Sequence, residues 1–287
     1  MDRWSADLGL VLAAFLFGST FVVVKDAVTD AGPIPFLGAR FLIAAGVMWL
    51  IARRAPPDPG VTRAGVVCGL VLLAGYVFQT VGLQRTSATT SAFITYLLVV
   101  IVPVLSAVVL RRPPGFATTA GIALAVCGLA LLSGTGLRLR SGELLTVLCA
   151  LAFAIHIVML GAFAPRHDWR RLTAIQLTVV GLGCAVPGFA TGGYRFSASV
   201  WVAAVYTAVA ASAGAFALMT WAQRRVSPSR TGLLLMLEPV FAALLAIRAG
   251  EHFGGRAATG AALILLGVLV SEVSRGRDDR AAKFVDN

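Results

Sequence analysis

Ten apolar runs, each close to twenty residues long and separated by short polar turns, account for almost the whole of this chain; they fall near 6–25, 35–52, 63–84, 88–110, 117–134, 143–163, 171–191, 199–222, 229–248 and 257–273. A helix needs about 20 mostly apolar residues to cross a bilayer. The runs lack period-two alternation, and hydrocarbon accepts only helices or closed barrels, so each is read as a spanning helix. Hydrophobic residues make up 58% of the 287 and charged residues 13%. That charged share is about half the usual share of a soluble domain, so a soluble fold is excluded. The expected fold class is an all-α polytopic membrane protein with ten transmembrane helices.

Segments six to ten partly repeat segments one to five. Pro103-Val104 returns as Pro239-Val240 at an offset of 136, which also pairs Leu97 with Leu233, Ala107 with Ala243 and Arg112 with Arg248. Later in each half an offset of 139 pairs Gly121 with Gly260 and Gly128 with Gly267. The expected units are a first repeat over 6–136, a second over 140–275 and a polar cytoplasmic tail over 276–287. Five is odd, so the second unit enters the membrane upside down relative to the first. Two inverted five-helix repeats are a common build of secondary transporters.

The net charge of +11 is set by arginines placed at helix ends rather than on a nucleic-acid-binding face. With the N-terminus in the cytoplasm, sixteen Lys and Arg fall on the cytoplasmic side and seven on the outer side, while Arg40 lies inside the second helix. This bias places both termini in the cytoplasm, with Arg138 and Arg140 outside as exceptions, and the expected location is the cell's inner (plasma) membrane. The first apolar run is too long for the core of a cleaved secretory signal and reads as an uncleaved helix. Cys68, Cys127, Cys149 and Cys184 lie in apolar runs without metal-ligand spacing, so no metal or cofactor is expected. Gly65 and Gly69 form a GxxxG, open to internal packing or to dimerisation, and the protein is expected to be a monomer or homodimer.

The words "FGSTFVVVK", "GARFLIAAG" and "GLQRTSATTSAFI", together with "AQRRVSPSRTGLLLMLEPVFAALLAIRAGE" across the last three helices, resemble the EamA family. This is the ten-helix branch of the drug/metabolite transporter superfamily. The resemblance runs from about residue 7 to 273 in two EamA-like halves. The first half departs from it by carrying Arg111-Arg112-Pro113-Pro114 where such repeats often hold a glutamate. The resemblance implies a cavity between the halves, lined by helices one to four and six to nine. It also implies the movement of small metabolites, amino acids or drugs across a membrane, without fixing a substrate.

Ionisable and polar residues inside apolar runs are the candidates for function. Glu238 lies 10 residues from Pro228 and 12 from Gly250, which puts it near mid-bilayer. It reads either as a proton-coupling carboxylate or as a structural glutamate bonded to neighbouring helices. Arg40 has three readings: it snorkels outward, pairs with an internal acid such as Glu238, or anchors a substrate carboxylate or phosphate through its planar fork. His156 stands at the repeat position of Thr20, so the two suggest a shared polar strip. His156 itself reads as a proton relay or as a satisfied buried histidine. Gln79, Tyr96, Gln176 and Trp221 complete the candidate cavity set, with packing as the alternative for Tyr96 and Trp221. Pro103 and Pro239 each remove one helix hydrogen bond, and are read as cavity or gate kinks or as simple bends. Asp7 and Glu143 are expected to complement helix dipoles. No HExxH or GxSxG occurs, which disfavours an intramembrane enzyme. A membrane subunit or sensor without transport of its own is the remaining alternative.

Overall fold

The computed structural model describes residues 3–98, 100–102, 105, 116–133, 139–191, 193–250, 254–267 and 269–270. Among them every regular element is helical: α1 (Arg3–Gly18), α2 (Thr20–Ala31), α3 (Pro33–Ala52), α4 (Val61–Leu83), α5 (Ala88–Thr95), α6 (Phe116–Ser133), α7 (Ser141–Phe163), α8 (Trp169–Ala190), α9 (Ala198–Thr207), a π-helical segment (Ala208–Ala215), α10 (Phe216–Ala222), α11 (Pro228–Leu235), α12 (Leu237–Arg248) and α13 (Gly255–Gly267). Six stretches are long and apolar enough to cross a membrane: Trp4–Ala31, Pro33–Ala52, Val61–Leu83, Ser141–Arg166, Trp169–Ala190 and Ala198–Ala222. Shorter apolar helices occupy the remaining expected segments. The protein is an all-helical polytopic membrane protein. Pro103, the 111–114 turn and the 276–287 tail lie outside the described residues.

Local chemistry explains the ends and the breaks. Gly32, at φ 73°, turns the chain between α2 and α3, and Pro33 opens α3 where its missing N–H is not needed. Ser87 caps α5 by accepting the Thr90 N–H at 2.9 Å, and Ser227 caps α11 by accepting from Arg230. Asp168 caps α8 by accepting the N–H groups of Arg170 and Arg171. Burial disfavours the charge of Asp168, but the Arg170 side chain and those two N–H groups outweigh it and hold the carboxyl below its usual range. The first membrane crossing kinks at Ser19, whose hydroxyl donates to the Leu16 carbonyl at 2.8 Å while Thr20 donates to Phe17 at 2.8 Å. The Tyr206 hydroxyl, 2.8 Å from Ser19 Oγ, ties this kink to α9. The ninth crossing breaks at Met236 because Pro239 cannot donate to Leu235, the residue at which α11 ends.

Glycines let the helices meet closely. A Cβ on Gly65 would lie 2.7 Å from the Ile175 Cβ, and one on Gly69 would lie 2.8 Å from the Val179 Cβ. The GxxxG face is therefore spent inside the chain, on α8. Helices α6 and α13 cross through glycines taken from both halves. A Cβ on Gly128 would sit 2.6 Å from the Gly260 carbonyl oxygen, and one on Gly267 would sit 2.5 Å from that of Gly121. Shifting by the 139-residue repeat offset turns one contact into the other. A two-fold relation between two copies of a unit produces reciprocal contacts of this kind.

Candidate functional site

Inside the bundle lies a cavity lined by residues of α1, α2, α3, α4, α5, α7, α10, α11 and α12. Of the residues singled out by sequence, Thr20, Arg40, Gln79, Tyr96, His156 and Glu238 line it. Gln176 stands behind His156, and Pro239 is buried next to Glu238. Trp221 is placed elsewhere: it packs on Gly9 of α1, and the Arg225 guanidinium lies 5.3 Å from its ring centroid. Pro103 is outside the described residues.

Glu238 starts α12 just after the break, 7% exposed, and its Oε2 accepts a 2.6 Å hydrogen bond from the Tyr96 hydroxyl. Tyr96 follows the end of α5, where its N–H is shared between the Ala92 and Phe93 carbonyls as the helix tightens. Both partners therefore sit at breaks in their membrane crossings. Gly18 holds this corner from the other side, because a Cβ there would come 2.7 Å from the Glu238 carbonyl oxygen. The glycine of "FGST" is what allows α1 to lie against the backbone of α12 at Glu238.

Arg40, 3% exposed, does not snorkel out of the bundle. Its Nε donates to Ser212 Oγ at 2.7 Å, and its Cζ lies 5.2 Å from the ring centroids of both Phe41 and Tyr76. Ser212 belongs to the π-helical segment, where the widened turn brings its hydroxyl to the guanidinium. Such segments inside α-helices are frequent at functional sites. Among the described residues no carboxylate lies within 4.0 Å of Arg40, whereas His167 pairs with Asp58, Arg170 with Asp168 and Arg230 with Asp7. Arg40 and Glu238 nevertheless line the same cavity.

His156 Nε2 lies 2.6 Å from Gln176 Oε1, while Gln176 Nε2 donates to the Leu172 carbonyl at 3.1 Å. The amide is thereby oriented with its oxygen toward the ring. His156 must carry its proton on Nε2, which leaves Nδ1 as an acceptor in the neutral imidazole. Gln79 Nε2 contacts Thr95 Oγ1 at 3.4 Å, and Thr95 donates to Ser91 at 2.8 Å. The rest of the wall is aromatic and aliphatic. Tyr76 sits edge-on to Phe41 and Phe153, with centroids 4.6 and 5.2 Å away, and Phe216 is tilted at 5.9 Å. Sequence reasoning passed over Tyr76, Thr80, Phe153 and Phe216. Ser212, which aims Arg40, was missed as well.

One end of the bundle is closed by polar contacts between the two halves. Arg230 of α11 grips Asp7 of α1 through two bonds, Nε–Oδ1 at 2.9 Å and a terminal nitrogen to Oδ2 at 2.6 Å. Asp7 was expected to complement a helix dipole; it instead joins α1 to α11. At the same end Asp58, in the turn before α4, accepts from the Asp168 N–H at 2.6 Å and contacts His167 Nδ1 at 2.9 Å, and Arg171 donates to the Ala55 carbonyl. Glu143, by contrast, keeps its expected place at a helix start, accepting the Arg140 N–H at 2.8 Å.

Interrupted crossings around a cavity with opposed charges define a polytopic membrane protein built to hold a small molecule. The EamA-like transporter family model matches residues 4–134 and again 140–272, and the chain belongs to that family. It is a multi-pass transporter of a small-molecule substrate rather than an enzyme. An uncharacterized transporter of Archaeoglobus fulgidus is 33% identical over 273 residues, covering 94% of this chain and 86% of its own. A chloroplastic WAT1-related protein of Arabidopsis thaliana is 25% identical, over 94% of this chain and 70% of its own. A protein of known crystal structure superposes with a TM-score of 0.69 at 22% identity, covering 94% of this chain and 98% of that one, and shares the fold.

Proposed function

We infer that the protein is a secondary transporter that exports small metabolites, amino acids or drug-like compounds across the plasma membrane by alternating access, its two halves being inverted repeats that rock about the cavity. Both termini are cytoplasmic in this reading. The observation that carries it is the placement of Arg40 and Glu238, unpaired with each other, in the cavity between the halves. Ionisable groups inside membrane-spanning segments belong to substrate or ion pathways. The reciprocal glycine crossing of α6 and α13 supports the inverted arrangement.

In this mechanism Glu238 is the proton site. Facing water it is ionised and holds the Tyr96 hydroxyl hydrogen bond; occluded in a medium of low dielectric, it takes up a proton, since an unpaired carboxylate there is costly. Arg40 cannot follow, because a guanidinium stays charged. Asp7–Arg230 and the Asp58 contacts form the cytoplasmic gate, and an exposed ion pair of this kind is weak enough to open and reclose in each cycle. Purified protein in liposomes tests the reading with a flux screen of amino acids, aromatic metabolites and cationic drugs at two pH values. Flux is expected for at least one class, with a pH dependence that Glu238→Gln removes. Unchanged flux with an unchanged pH profile in that variant would end the proton role.

A further inference from the structure

Resting on the reading of this cavity as the substrate site, we propose that the substrate is a small organic monoanion with an apolar or aromatic body, and that it binds together with one proton taken up by Glu238. Of the residues that line the cavity, Arg40 and Glu238 are the ones that carry formal charge: His156, 1% exposed, has the Gln176 amide oxygen at its Nε2 and no acid among the described residues paired with it to hold a buried imidazolium. While it faces water, the empty site is balanced: one permanent cation, one carboxylate.

The two charges differ in kind. Arg40 is fixed in place by Ser212 and the faces of Phe41 and Tyr76, and it stays charged. With Nε committed to Ser212 and the Tyr76 hydroxyl also bonded to the side chain, the guanidinium is oriented, and its remaining N–H groups are donors that a carboxylate accepts. Glu238 can lose its charge by binding a proton. The groups that face it or share its field are the Tyr96 hydroxyl, Arg40, Tyr76 and Cys149, of which Arg40 alone is a cation.

An anion arriving at Arg40 therefore leaves two negative groups to share one positive one in a site walled by Phe17, Phe153, Phe216 and Leu72. Protonating Glu238 restores neutrality, so anion and proton bind as a unit. A cation instead has to lie beside a guanidinium that cannot discharge, and it favours the ionised form of Glu238. The fixed charge thus selects the sign of the substrate, and the titratable one follows it. The sign of the linkage is set: anion affinity falls as pH rises wherever Glu238 is ionised in the empty protein, by about tenfold per pH unit for one proton.

Binding of three probes with the same aromatic body separates the alternatives: phenylacetate, phenethylamine and phenylalanine, measured calorimetrically on purified full-length protein in two buffers of different protonation enthalpy, at about pH 6 and about pH 8. Phenylacetate is expected to bind with uptake of close to one proton and to weaken as pH rises. In Glu238→Gln its affinity is expected to be independent of pH with no proton exchanged. Arg40→Lys keeps the cation but not the fork, and is expected to retain the proton uptake with affinity reduced about tenfold or more. Phenylacetate binding without proton exchange, or preferential binding of phenethylamine with proton release, overturns the anion assignment and leaves the transport reading standing. Binding of phenylalanine alone does the same. Failure of all three to bind, in protein that keeps its melting transition, overturns the assignment of the cavity as the substrate site as well.

Discussion

The two halves carry side chains at matching positions and use them differently. Thr20 and Arg40 of the first half stand 136 residues before His156 and Gln176 of the second. In the second half the pair closes on itself through the 2.6 Å His156–Gln176 bond. In the first half Thr20 bonds back to Phe17 and Arg40 reaches into the other half, to Ser212. Asp7 and Glu143 part in the same way: one bridges to Arg230 across the halves and the other caps its own helix. By contrast, the glycine crossing of α6 and α13 keeps its symmetry. Packing between the copies is conserved as shape, while the polar positions have diverged so that one copy holds and the other reaches across. A site with one cation and one carboxylate requires that divergence, since a perfectly two-fold site would present each group twice.

The contrast can be tested first where it predicts equality. Gly128→Val and Gly267→Val each force a side chain into a neighbouring backbone, and each should cost about 1–3 kcal/mol or more in thermal or denaturant unfolding. A large cost for one and none for the other would break the symmetry of the crossing. Next, Gln176→Leu leaves the His156 Nε2–H buried without an acceptor and should destabilise the protein by about 1–3 kcal/mol. If stability is unchanged, the closed pair in the second half is not a structural element.

Glu143→Ala removes an interaction at the start of α7 and should cost about 1 kcal/mol, seen as a lowered Tm with transport rate retained in the folded protein. Asp7→Asn should do the reverse. An exposed pair contributes only about 0–1 kcal/mol to stability, yet it joins the halves, so flux and its salt dependence should change while Tm hardly moves. The reversed pair Asp7→Arg with Arg230→Asp should recover flux. Equal behaviour of Asp7→Asn and Glu143→Ala would erase the distinction.

These differences mark what the chain discloses by itself. Length and hydropathy expose the crossings because lipid demands about 20 apolar residues and punishes anything else. The first crossing runs on to Ala31, past its expected end near residue 25, because a helix can carry Lys25, Asp26 and Asp30 once it leaves the apolar layer. Arg40, His156 and Glu238 are legible as cavity-lining residues because an ionisable group in an apolar run is costly and therefore informative. Tyr76, Phe153 and Phe216 are not, since an aromatic residue among aliphatic ones gives no sign of which way its helix faces. Ser212 hides for another reason: the segment Ala208–Ala215 is small and featureless in sequence, and nothing in it announces a π-helix. Nor could Asp7 reveal its partner, because Arg230 lies 223 residues away and only the folded bundle brings them together.

The claim on which the account turns is that the halves must part at the Asp7–Arg230 end for substrate to pass. Asp7→Cys with Arg230→Cys, in a Cys127→Ser background that removes the exposed native thiol, can be bridged with a short thiol-specific cross-linker in proteoliposomes. The account predicts that flux is abolished on cross-linking and restored when the bridge is cleaved, while each single cysteine variant treated alike keeps transporting. Undiminished flux through fully cross-linked protein would contradict it.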